Sequence, residues 1–207
     1  MLINIKPIKV FTVLLLTLYS FISLTKLEAE LSSSSSNELG SNSASYILVE
    51  YASMSCIHCA NFHNNEFSKI KKDFIDTGKL KFIYKDFPLD KPAMLASMVA
   101  NCFSGEQYYE ILSTLYRNQK EWVIEANNSG KFYSAIHSSL KVHGITLDKI
   151  LGCIDDKSEV NKKTWSKIIA TRLEGQKNGV NSTPSFFLNG KKIEEPFNYE
   201  LLEKLVK

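Results

Sequence analysis

Two cysteines separated by two residues, in the run Cys56-Ile57-His58-Cys59, are the part of this sequence best suited to chemistry. Such a pair can pass between dithiol and disulfide, or it can supply half of a tetrahedral metal site. Position decides between the two. Residues 46–52, YILVEYA, are β-branched and aromatic and predict a buried strand, with Glu50 as its one charged member. After the cysteines, Ala60, Phe67, Ile70, Phe74 and Ile75 approximate helical spacing up to Gly78. The pair therefore falls at the start of a helix that follows a strand, where unpaired backbone N–H groups and the positive helix end favour a thiolate on Cys56. A lowered Cys56 pKa makes that sulfur a better leaving group and stabilises the reduced pair, so the disulfide becomes the stronger oxidant. His58, between the cysteines, is placed to donate a hydrogen bond to the Cys56 sulfur or to set a cation beside it. A zinc site would recruit Cys56, Cys59 and His63 but lacks a fourth ligand, since Cys102 and Cys153 have no CxxC partner and His137 and His143 are not paired with cysteines. Neither a metal nor a cofactor is called for, and His63, His137 and His143 are expected on helix surfaces.

The elements that must position this pair follow from the pattern. Residues 79–87, KLKFIYKDF, predict a second strand, so strand, helix and strand form a βαβ unit. Helical spacing then dominates residues 92–118, 131–142, 146–154 and 158–177. The β pattern returns at residues 185–188 and 192–193, which flank Asn189-Gly190, a strong two-residue hairpin signal, before a short helix over residues 199–206. Thr183-Pro184 opens that hairpin, where proline cannot serve an interior ladder unless its geometry is special. A cis bond is expected there, in a turn that faces the CxxC and leaves the backbone near residue 183 free to pair with an extended peptide. Met54, beside the cysteines, is a candidate either for a substrate groove or for packing.

Composition bounds the rest. The chain has 207 residues, 44% hydrophobic and 23% charged, as an ordinary globular domain does. Beyond residue 29 it carries 22 basic against 21 acidic residues, which removes the electrostatic reason to expect nucleic acid. Lys6 and Lys9 precede an uncharged run over residues 10–24, and Ala29 closes a cleavage region, the features of a secretory signal. Leu27 weakens that cleavage site, so retention as an anchor stays open. Residues 30–45, which include five consecutive serines, are expected to be a linker, with the folded part beginning near Tyr46.

CIHC after a strand, Thr-Pro before a terminal hairpin and a helical block between the two β parts together resemble the DsbA family of thiol:disulfide oxidoreductases, over residues 46–207. The resemblance implies an α/β thioredoxin fold, βαβ plus a terminal ββα, interrupted by an inserted all-helical domain. It places the thioredoxin-like part at 46–88 and 178–207 and the insert at 89–177. It implies a redox disulfide between Cys56 and Cys59, a cis-proline at Pro184 with Thr183 before it, and a buried acid at Glu50 able to relay the proton of Cys59. Lys85 on the adjacent strand is a candidate partner for Glu50. Ile57 departs from the proline common in the family, so the redox potential does not carry over. Cys102 and Cys153 are expected to form a structural disulfide after export to an oxidising compartment, with two buried free thiols as the alternative. The implied activity is disulfide transfer to unfolded or reduced exported proteins in the periplasm, by a monomer reoxidised by a DsbB-type membrane partner. A reductase or isomerase, or a non-enzymatic envelope holdase, are the competing functions.

Overall fold

The computed structural model describes residues 37–206. The signal-like segment and the serine run of residues 32–36 lie outside the described residues. Five strands, β1 (Glu38–Leu39), β2 (Tyr46–Ala52), β3 (Leu80–Asp86), β4 (Ser185–Leu188) and β5 (Lys191–Lys192), form one sheet in the order β1-β3-β2-β4-β5. The central pair β2 and β3 is parallel, and every other neighbour is antiparallel. Joining the parallel pair are α1 (Ile57–Asn65), α2 (Phe67–Ile70) and a π-helical turn, Lys71–Ile75. The single helix expected here is interrupted at Glu66, whose backbone sits at φ −110° and whose carboxylate accepts the Tyr199 N–H at 3.0 Å. That bond fastens the start of the C-terminal helix to the crossover.

Between β3 and β4 lie α3 (Lys91–Ala100), α4 (Gly105–Arg117), α5 (Gln119–Ile124), α6 (Ser129–Leu140), α7 (Leu147–Cys153) and α8 (Glu159–Lys177), and α9 (Tyr199–Leu205) closes the chain. Asp90, Asn128, Thr146, Ser158 and Asn198 cap five of these helices, each side chain accepting a backbone N–H of the first turn. The terminal hairpin turns through Asn189 and Gly190 at φ 48° and 79°, the left-handed pair that a tight two-residue loop needs.

Alternation along the strands divides the core. Leu48, Ala52, Leu80, Phe82 and Tyr84 pack with α1 and α4 residues in the main cluster, whereas Tyr51, Phe87, Val180 and Phe187 form a second one. At that second cluster α8 approaches the sheet through Gly175, where an added Cβ would lie 2.8 Å from Tyr51 Cδ1 and 3.0 Å from Phe87 Cδ2. Gly175→Ala is expected to cost about 1–3 kcal/mol through overpacking, read as a lowered thermal midpoint. An unchanged midpoint would show that the two rings yield freely.

One expectation needs correction here. Residues 38–39, assigned to the linker, pair antiparallel with Ile83 and Phe82 of β3. Leu39 is buried and the Tyr109 hydroxyl donates to the Asn37 carbonyl at 2.7 Å, so the packed body starts before Tyr46. One leucine on an open sheet edge is enough for this, and a polar average over sixteen residues conceals it. Gly40 fits the turn that follows, at φ 94°, because a side chain there would drive into the Leu80 carbonyl. Of the two roles open to Met54, groove or packing, its full burial selects packing. Cys102 and Cys153 are joined in a disulfide across 51 residues, tying the turn after α3 to the end of α7.

Candidate active site

Cys56 is the N-cap of α1, in extended conformation at φ −77° and ψ 119°, and its sulfur accepts the Cys59 backbone N–H at 3.4 Å. Cys56 and Cys59 are both thiols and both buried. The Cys56 thiol donates to the Thr183 carbonyl at 3.1 Å, so the CxxC and the turn before β4 meet as the topology requires. The Thr183–Pro184 peptide bond is cis. The Cys56 pKa is lowered to about 5, first by the hydrogen bond from the Cys59 thiol, with help from the Thr183 side chain and the N–H groups of Cys59 and His58, and against the effect of burial. Cys59 moves the opposite way: burial foremost, then its bond to Cys56 and the negative charge of Glu50, raise its pKa well above the ordinary value. Two sulfurs three residues apart are thus split into one held as thiolate and one held as thiol.

Beneath them lies a buried acid. Glu50 on β2 and His63 on α1 are both fully buried in their side chains, with Glu50 Oε2 at 2.9 Å from His63 Nε2. Glu50 Oε1 and His63 Nδ1 have no hydrogen-bond partner. The imidazole stacks on the Tyr116 ring at 4.4 Å, and Tyr116 shares a 2.7 Å hydroxyl contact with Tyr84 and donates to the Ser53 carbonyl at 3.2 Å. From α5, the buried Gln119 amide donates to the carbonyls of Met54 at 2.7 Å and Cys56 at 2.9 Å. The helices between β3 and β4 therefore hold the turn that presents the cysteines, by hydrogen bonds to its backbone.

Cys56, Cys59, Thr183 and Pro184 come together as expected from the chain order, and Glu50 is buried as expected. Two other expectations fail. Lys85 does not partner Glu50; it bonds Glu174 at 2.6 Å, because the parallel register sets Glu50 opposite Tyr84 and places Lys85 beside Tyr51 on the other face. His63 is not a surface residue, since the face of α1 that carries it turns toward β2 and α4. The His58 side chain is exposed, and its backbone N–H is among the groups that lower the Cys56 pKa. Sequence inspection missed His63 and Gln119. The signal for His63 was its spacing, four residues after Cys59 on the same helical face, whereas nothing local marked Gln119.

A groove of about 610 Å³ is lined by His58, Phe62, Asn181, Pro184 and Phe197 among others, two of them, His58 and Pro184, belonging to the cysteine run and the cis turn. Comparison with known proteins places these features in context. A family model described as thioredoxin matches residues 32–207. A putative protein-disulfide oxidoreductase of Rickettsia typhi is 28% identical over 164 residues, covering 79% of this chain and 57% of the relative. The chain thus spans little more than half the length of that relative. Disulfide bond formation protein D of Bacillus subtilis is 24% identical over 173 residues, covering 81% of this chain and 74% of its own. The crystal structure of Wolbachia pipientis α-DsbA1 superposes with a TM-score of 0.72 at 28% identity, over 82% of this chain and 88% of that one.

Proposed function

The chain belongs to the thioredoxin family, in the DsbA form of its fold, and from that premise we propose that it is an exported protein-disulfide oxidoreductase acting as a dithiol oxidase through Cys56 and Cys59. The observation that carries this reading is the split of the two thiols, Cys56 lowered to about 5 and Cys59 raised, at a helix N-terminus that meets the Thr183–Pro184 turn. A client thiolate attacks the Cys56 sulfur of the Cys56–Cys59 disulfide, and Cys59 leaves and takes up a proton. A second client thiolate attacks the client sulfur of the mixed disulfide and expels Cys56 as thiolate. Two electrons pass from client to protein, and the client gains the disulfide.

Clients in this reading are unfolded or reduced exported proteins, held in the groove beside Cys56 with their backbone near residue 183. The compartment is the periplasm, and a DsbB-type membrane oxidoreductase returns the pair to its disulfide. The inserted helical domain over residues 89–177 supports the cysteine turn through Gln119 and Tyr116.

Equilibration of the purified protein with glutathione tests the direction. A potential nearer the roughly −120 mV of strongly oxidising CxxC pairs than the roughly −270 mV of reducing ones is expected, and a value at the reducing end would make this protein a reductase. Cys59→Ala with Cys56 first converted to its mixed disulfide with glutathione should trap client proteins on Cys56, the client thiolate displacing glutathione as the leaving thiol. If Cys56→Ser protein supported disulfide formation in cells as well as the natural chain does, a non-enzymatic role would replace the enzymatic one.

A further inference from the structure

We propose that the groove lined by His58 and Pro184 selects client segments that carry arginine or lysine beside the reacting cysteine, through the carboxylates of Glu194 and Glu195. The inference rests on the exchange reaction proposed above and deepens it by naming the charge of the client. The body of the chain is nearly neutral, so the molecule as a whole does not read a client's charge. A local imbalance of charge can.

The groove holds such an imbalance. Its lining draws on the cysteine run, the turn at Pro184 and the loop after β5, so a chain lying in it passes the two segments that meet at Cys56. Three carboxylates, Glu66, Glu194 and Glu195, share that lining with one ammonium, Lys192, a balance of −2 leaving His58 aside. The ammonium is already engaged, 3.4 Å from Glu194 and donating to the Gly179 carbonyl at 3.2 Å. Glu66 is engaged as well, its Oε2 accepting the Tyr199 N–H at 3.0 Å. Among the described residues no cation pairs with Glu195, which is exposed, and the Glu194 side chain is 75% exposed despite its ion pair. The two carboxylates left for a client are therefore neighbours on one loop.

The aromatic part of the lining suits the rest of a basic side chain. Phe197 stacks on Phe186 at 4.0 Å, and Phe62 meets Phe186 edge to face at 4.7 Å. Phe62 and Phe186 are buried, whereas Phe197 is half-buried and keeps surface for a ligand. A ring face attracts a guanidinium or ammonium, and apolar surface packs the methylene stem behind it. An acidic client segment meets two like charges here, which discriminates against it. A cleft of one sign of charge also raises the rate of encounter with molecules of the other sign, an effect that salt suppresses. Selection thus acts before exchange at Cys56 and leaves the exchange chemistry unchanged.

The test mixes oxidised protein with reduced peptides of equal length, one carrying arginines and the other glutamates beside its cysteine pair. Each rate is divided by that of the same peptide with the uncharged 2-hydroxyethyl disulfide, which removes the effect of the flanking charges on the peptide thiol itself. At low ionic strength the arginine peptide is expected to react about 10-fold faster than the glutamate peptide, and the ratio to shrink toward one in salt on the order of 0.5 M. Glu194→Gln combined with Glu195→Lys adds one charge and then two, turning the balance from −2 to +1, and should bring the ratio to one or below. Both side chains are exposed, so the fold is expected to survive. Glu110→Gln removes a charge from the lining of a different cavity and should leave the ratio as it was. Equal rates for the two peptides at low salt, a ratio retained in the double variant, or one lowered as much by Glu110→Gln would overturn the selection while leaving the oxidoreductase intact. Oxidation of neither peptide would overturn the oxidoreductase itself.

Discussion

Reduced protein titrated from about pH 3 to about pH 9 is expected to develop thiolate ultraviolet absorbance with a midpoint of about 5 from Cys56, while Cys59 remains a thiol throughout. At pH 7 a group with that pKa is about 99% ionised, against about 3% for a free thiol of pKa near 8.5. The larger thiolate pool does not by itself make Cys56 a faster nucleophile. With a reactivity slope of about 0.4–0.5, lowering the pKa by roughly 3.5 removes on the order of 40-fold of intrinsic reactivity and cancels the roughly thirtyfold gain in population. The advantage lies in departure and in equilibrium: Cys56 is the better leaving group, and the dithiol form is the stabilised one.

Stability should follow the same sign. A thiol whose folded pKa is depressed contributes stability that is complete above its unfolded value, near pH 8.5, and is lost as pH falls through about 5. The raised Cys59 opposes folding only where an unfolded thiol would ionise, above about pH 8.5. Denaturant unfolding of both redox forms is therefore expected to show the dithiol form more stable than the disulfide form around neutrality, with the excess vanishing below about pH 5. A Cys56 midpoint above about pH 8 would remove the basis for the oxidase direction.

The second large effect is expected from Cys102→Ala with Cys153→Ala. Their disulfide closes a loop of 51 residues, which in the chain-entropy treatment stabilises the fold by about 4 kcal/mol. For a body of this size that corresponds to a fall of roughly 8–16 °C in thermal midpoint. The bridge joins the turn after α3 to α7, and neither end touches the cysteine turn through any hydrogen bond described above. The double variant should accordingly keep the Cys56 midpoint while losing heat resistance. A shift of less than about 2 °C would show that the helices between β3 and β4 are held by packing alone.

Much of the fold was legible before any coordinates, and the reasons are local. The strand YILVEYA is observed at Tyr46–Ala52 because its residue types suit a pleated, buried position. Asn189-Gly190 turns a hairpin because it tolerates two left-handed residues. Cys56 caps a helix because a strand ends and a helical pattern begins at that place. These features need no knowledge of distant residues.

What local pattern could not supply was the partner of each group. Lys85 and Tyr84 are adjacent in sequence, yet only Tyr84 shares a face with Glu50, and the parallel register settles which one does. His63 reads as one more polar helix residue until α1 docks on β2 and turns it against Glu50. Gln119 comes 63 residues after the Cys56 carbonyl it serves. Residue type and spacing determined that this chain carries a helix-capping thiol pair and a turn to meet it. Tertiary packing decided which acid, which imidazole and which amide surround that pair, because burial and hydrogen bonding are set by distances between segments that sequence order does not encode.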